Sequence, residues 1–164
     1  PGADASHSHF GHLMLASSGG VTLASNVFAQ GQLVTSEVGG AKTITGQGHT
    51  LTVQGLNAFN MVIDNAPLIV NDGWPGLNFF SVTFQGTYAS TADILTVNRG
   101  SEPTTVLMSI IFPASPPTAG HYLVANDPIS ANGPPLALDL TGSAPLGNGL
   151  NGVSLLGGAT VIWP

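Results

Sequence analysis

Cysteine is missing from the 164-residue sequence. Neither a disulfide framework nor a thiolate metal site can form, and this absence leaves the compartment open. Positive charge is almost missing too, since Lys42 and Arg99 are the only Lys or Arg residues. Charged side chains make up 6% of the chain, where soluble proteins average about 25%. Two cations cannot neutralise a run of phosphates, so no nucleic-acid partner is expected. The same shortage argues against docking on anionic lipid, and a net charge of −6 repels both partners. Long apolar runs are also missing. None approaches the roughly 18 residues of a membrane-spanning helix, so no transmembrane segment is expected. Mean hydropathy is nevertheless positive, at +0.32. That hydrophobicity is spread over short stretches such as 13–16 and 109–112. Either the domain has a neutral Gly-rich surface, or a neighbouring chain covers part of the apolar surface. The start, Pro1-Gly2-Ala3-Asp4, has no basic or apolar leader character, as in a processed or trimmed chain.

What is abundant is punctuation. Gly (22) and Pro (12) recur every few residues, leaving little room for a helix of about ten residues. Between them lie short runs of Val, Ile, Leu, Phe and Thr, as in strands. Run centres at Thr22, Ile44, Val62, Thr83 and Leu107 are 22, 18, 21 and 24 residues apart. A second series through Val34, Thr52, Ile69 and Thr96 is spaced 18, 17 and 27. Two interleaved series of this period suggest one solenoid coil per repeat. Like strands would pair in parallel about 4.8 Å apart, with Ile44, Val62 and Val82 in inward-facing rows.

Ile44-Thr45-Gly46-Gln47-Gly48-His49-Thr50-Leu51-Thr52-Val53 resembles a coil of the right-handed parallel β-helix proteins, the pectate-lyase-like architecture. Gly76-Leu77-Asn78-Phe79-Phe80-Ser81-Val82-Thr83-Phe84 and Ile94-Leu95-Thr96-Val97-Asn98 carry the same resemblance. It spans about residues 20–112. It implies glycines at tight bends and asparagines (Asn60, Asn65, Asn71, Asn78, Asn98) at turns or in stacked ladders. The expected fold is all-β, a short right-handed parallel β-helix, with a Greek-key β-sandwich as the alternative. The expected organisation is a His-containing leader or cap over 1–18 and a β-helix core over 19–112. A Pro-rich irregular excursion over 113–135 follows, with six prolines, and then C-terminal strands over 136–164 that pack on or cap the core. Open ends would invite end-to-end stacking of subunits.

Three groups of residues are candidate sites. His7, His9 and His12, near Asp4, suit Zn, Cu or Ni, against the plainer reading of a polar leader or an engineered tag. Trp74-Pro75 with Phe79, Phe80 and Tyr88 is a possible sugar-stacking surface, with Asn71 and Asn78 to bind hydroxyls. Interior packing competes, because alternation places Phe80, Val82 and Phe84 on one face. Asp64, Asp72 and Asp93 would approach one another if coils stack, and glycoside hydrolysis needs two carboxylates about 5–10 Å apart. No spacing points to such a pair, turn-capping is the simpler role, and Arg99 alone is a poor substrate clamp. No G-x-S-x-G elbow occurs. Gly46-Gln47-Gly48 and Gly147-Asn148-Gly149 lack the Lys and helix of a phosphate loop. Thr43, Thr45, Thr50 and Thr52 point outward if Ile44, Leu51 and Val53 point inward, as in ice-binding arrays.

No catalytic residue and no cofactor is assigned, and no enzymatic activity is expected. The Lys-poor, Ser/Thr/Asn/Gly-rich balance resembles bacterial surface proteins. The expected role is a secreted or cell-surface structural or adhesive domain, a homo-oligomer or subunit of a larger assembly. A carbohydrate-binding module is the alternative. A polysaccharide-cleaving enzyme and an ice-binding protein are minor ones.

Overall fold

The computed structural model describes residues 7–16, 19–36, 39–71, 78–100, 105–114, 117–128, 136–143 and 152–162. Among them there is no α-helix, and so none long and apolar enough to cross a membrane. The strands are β1 (His7–Phe10), β2 (Leu13–Leu15), β3 (Gly19–Thr22), β4 (Asn26–Thr35), β5 (Lys42–Thr45), β6 (Leu51–Asp64) and β7 (Leu68–Asn71). They continue as β8 (Asn78–Gln85), β9 (Leu95–Asn98), β10 (Thr105–Ile111), β11 (Leu123–Asp127), β12 (Ala137–Asp139), β13 (Val153–Gly157) and β14 (Thr160–Ile162).

Every described pairing is parallel, and paired residues lie from 17 (Val53↔Val70) to 32 (Thr105↔Ala137) positions apart in the sequence. A Greek-key sandwich is built from antiparallel strands, so these pairings exclude it. The pairs form three ladders. The first runs β1, the start of β4, the start of β6, β7, β9, β11, β13. The second runs β2, the end of β4, the middle of β6, the start of β8, β10, β12, β14. The third joins β3, β5 and the ends of β6, β8 and β10.

Alternation decides what is buried. In β5, β7 and β9 buried and half-buried positions alternate strictly, as the pleat requires. In register this makes columns. Ala29, Val53, Val70, Val97 and Ala125 stack in the first ladder and are fully buried. Leu33 and Leu56 stack in the second, and Ile44, Ile63 and Phe84 in the third. All belong to one core.

The expected row through Ile44, Val62 and Val82 is split. Ile44 pairs with Ile63, whereas half-buried Val62 stands beside Thr43 and Thr83. Val82 stacks on Met61 and Lys42 in a neighbouring inner column. The cause lies at the corners. Asn60 (φ 49°) and Ser81 (φ 54°) sit in the left-handed region, which takes one residue out of the alternation and inverts the parity. The same corner makes Phe79 the buried residue beside Val82 and Phe84, while the side chain of Phe80 lies outside the described ones. Val34 does not belong with Thr52. β4 runs through two ladders with a register shift between Ala29 and Gln32, and Val34 pairs with Asn57. The segment 1–18 supplies β1 and β2, which lie along β4. The stretch 113–135 contains β11, because the run from Tyr122 to Ala125 is apolar and free of Pro.

The glycines of the ITGQGHT stretch have separate reasons. Gly48 has φ +87°, beside Gln47 at φ 54°. A Cβ on Gly46 would stand 2.3 Å from that of Ala66, so only glycine lets the two turns stack.

Both cations of the chain are buried, Lys42 at 1% and Arg99 at 8% exposure. Lys42 Nζ donates to the Ser36 carbonyl. Arg99 Nη1 donates to both Asp127 oxygens at 3.0 and 3.2 Å, and Asp127 Oδ2 accepts the Leu136 N–H at 2.9 Å. No Lys or Arg side chain is therefore left on the surface.

Tyr122 is 1% exposed, and its hydroxyl has no partner among the described residues. Burial pushes its ionisation above the ordinary tyrosine value. Tyr122→Phe removes an unpaid desolvation and keeps the ring against Phe112 at 5.3 Å. The urea midpoint is expected to rise, by about 1 kcal/mol in stability. A lower midpoint would mean that the hydroxyl has a partner.

Candidate functional site

Three consecutive turns, residues 46–50, 65–67 and 86–94, meet the outer side of β7 and β9. They border a shallow groove of about 330 Å³, lined by Thr50, Asn65, Pro67, Ile69, Asp93 and Thr96 among others. Alternation puts Ile69 and Thr96 there, since their neighbours Leu68, Val70, Leu95 and Val97 face the core. The turns stack by their backbones. Ala119 donates to the Ser90 carbonyl at 2.7 Å and Ile94 to that of His121 at 2.9 Å. A Cβ on Gly120 would lie 1.9 Å from the Ala92 oxygen, which fixes how closely the third turn meets the next. This stacking brings His121 onto Asp93. Its backbone N–H (3.1 Å) and ring Nδ1 (2.8 Å) both reach Asp93 Oδ1. The two side chains are 39% and 42% exposed.

Beside the groove stands a ladder of amides. Asn98 Nδ2 donates to Asn71 Oδ1 at 2.7 Å, and Asn126 Nδ2 to Asn98 Oδ1 at 3.2 Å. Asn71, a candidate glycan contact, is thus tied to its neighbour strand. Tyr88 packs half-buried against the core and its hydroxyl donates to the Ile63 carbonyl at 3.4 Å. Burial raises its ionisation well above the usual tyrosine range. Asn78 lies in β8 between Asn57 and Leu107, with its side chain outside the described ones. Trp74 and Asp72 lie outside the described residues. Asp64 accepts from Gln85 Nε2 at 3.2 Å, a separate partner from that of Asp93. Arg99 is committed to Asp127.

His7 and His9 lie in β1, in register with Asn26 and Phe28, and their side chains and Asp4 are outside the description. The His12 ring lies against β4, where Nδ1 accepts the Gln32 N–H at 3.1 Å. Among the described residues no group of three His, Cys, Asp or Glu side chains is placed to hold a metal ion. Ile44, Leu51 and Val53 are fully buried, and Thr43, Thr45, Thr50 and Thr52 beside them are half-buried. Their row neighbours include Val62, Asp64 and Ile69, so they form no continuous threonine array.

The second distinctive surface is the pair of ladder edges. Phe10 pairs with Ala29 and Leu155 with Ala125, so both occupy the inward column of the first ladder. They are nevertheless 44% and 45% exposed. Val21, in the inward column of the third ladder, is exposed likewise. The outermost strands β1, β2, β3, β13 and β14 contain no Asp, Glu, Lys or Arg. Native edge strands are usually blunted by such charges or by Pro.

Sequence reasoning missed the Asp93–His121 pair, because 28 residues separate its members and no local spacing marks them. The amide ladder had a signal. The 27-residue step from Ile69 to Thr96 also relates Asn71 to Asn98. Comparison with protein-family models, with curated proteins and with solved structures finds no match.

Proposed function

We propose that this chain is a right-handed parallel β-helix of the pectate-lyase-like kind, acting as a secreted or cell-surface structural and adhesive domain that assembles end to end with further copies. Three parallel ladders sharing one core support the winding. The near-universal right-handedness of parallel β crossovers supports its hand. The observation that carries the assembly is the column from Phe10 to Leu155, buried in its middle and open to solvent at both edges, on strands without charge. The outward amide ladder and scattered threonines, with both cations inside, leave a neutral to acidic surface. Such a surface packs on a partner with little charge to desolvate. The role is binding and support rather than catalysis.

Sedimentation velocity across a concentration series, with negative-stain electron microscopy, tests this. The expected result is mass that grows with concentration and unbranched rods one chain wide. A single monomeric species throughout would count against it.

A further inference from the structure

We infer that the groove beside the Asp93–His121 pair is a binding site for a neutral saccharide, separate from the ladder edges.

The chemistry of the groove selects the ligand class. Its outer-face floor carries Ile69 beside Thr96, and its borders supply Thr50, Asn65 and Asp93. A pyranose or furanose ring offers the matching mixture, an apolar C–H face and a rim of hydroxyls. Asp93 is braced for such a role. Both His121 bonds fall on Oδ1, so the carboxylate keeps acceptor capacity for ligand hydroxyls. The brace comes from a neighbouring turn, which holds the carboxylate in place before a ligand arrives and lowers the ordering cost of binding.

Other ligand classes fit less well. An anion would meet a carboxylate and no Lys or Arg partner, because Lys42 and Arg99 are both buried and the His121 ring is already turned onto Asp93. A purely apolar molecule would strip water from Asp93 Oδ2 and offer no hydrogen bond in return. A metal ion would find one carboxylate, with no group of three candidate ligands among the described residues. The volume of about 330 Å³ lies at the low end of ordinary ligand sites, and the groove is open, so it suits a short run of sugar units entering from the side.

The test uses the monomeric chain at low concentration, titrated by NMR with neutral hexose and pentose oligosaccharides and with oligogalacturonate as the acidic comparison. At least one neutral oligosaccharide is expected to bind. Asp93→Asn weakens it about tenfold. Thr96→Arg, which fills the groove and leaves the Asp93–His121 pair intact, abolishes it. Thr83→Arg, on the outer side of the third ladder, leaves it unchanged. Circular dichroism and urea midpoints confirm that each variant folds, and Thr96→Arg carries the test if Asp93→Asn does not. The inference is overturned if no neutral oligosaccharide binds, if the acidic one binds in preference, or if binding survives Thr96→Arg.

Discussion

Asp127→Ala is expected to destabilise the chain by about 3–5 kcal/mol, the range for breaking a buried ion pair from one side. Asp127 is fully buried and takes two bonds from Arg99 and one from the Leu136 N–H. Without the carboxylate, the guanidinium stays buried, its side chain 4% exposed, with its charge uncompensated. The Leu136 N–H loses its acceptor as well, which frees the backbone leading into β12. Total stabilities of single domains are about 5–15 kcal/mol, so the variant should be marginal or unfolded.

Arg99→Met is expected to be comparably harmful, since it takes both guanidinium bonds from a buried carboxylate. The double variant Arg99→Met with Asp127→Leu should be more stable than either single one, because neither buried charge remains. Urea denaturation of the four proteins gives the cycle. Single variants within about 1 kcal/mol of the parent would show that the pair is not what holds β9, β11 and β12 together.

Leu155→Lys is expected to abolish self-association while leaving the melting temperature nearly unchanged. Leu155 is already 45% exposed in the monomer, so the substitution removes little packing within one chain. In the assembly it would bury a lysine in an apolar column with no partner. Phe10→Lys, at the opposite edge of the same column, should do the same. An equimolar mixture distinguishes the mode of contact. A head-to-tail interface joins the intact first edge of one variant to the intact last edge of the other, so the mixture should form heterodimers and nothing larger. Sedimentation of the mixture reads this directly. Dimers of either variant alone would mean that like edges pair, and unchanged rods in both would sink the end-to-end contact.

The legible part of this fold was local. Short β-branched runs between Gly and Pro imply strands. Alternation put Ile44, Leu51 and Val53 inside and their threonine neighbours outside, as the structure has them. The step of roughly twenty residues anticipated parallel pairing in register. Registers were lost where one corner residue inverts the parity: Asn60 was expected at a turn or in a ladder without its effect on the alternation, and no pattern rule marks Ser81 as left-handed. β11 was passed over because the prolines on either side of it outweighed a four-residue apolar run. In the candidate site, Asp93 was noticed without its partner, whereas stacked amides were among the roles expected of Asn71 and Asn98, with Asn126 left out of the set.

Composition and periodicity alone indicated an all-β chain with few charged side chains, since these follow from nearest-neighbour sterics and from counting charges. Which residues meet across ladders had to await the folded chain, because contacts 27 or 28 residues apart depend on the summed length of every turn between them. The interior position of both cations is the clearest instance. Lys and Arg ordinarily belong in water, and only the register that sets Asp127 beside Arg99 makes burial of that charge tolerable.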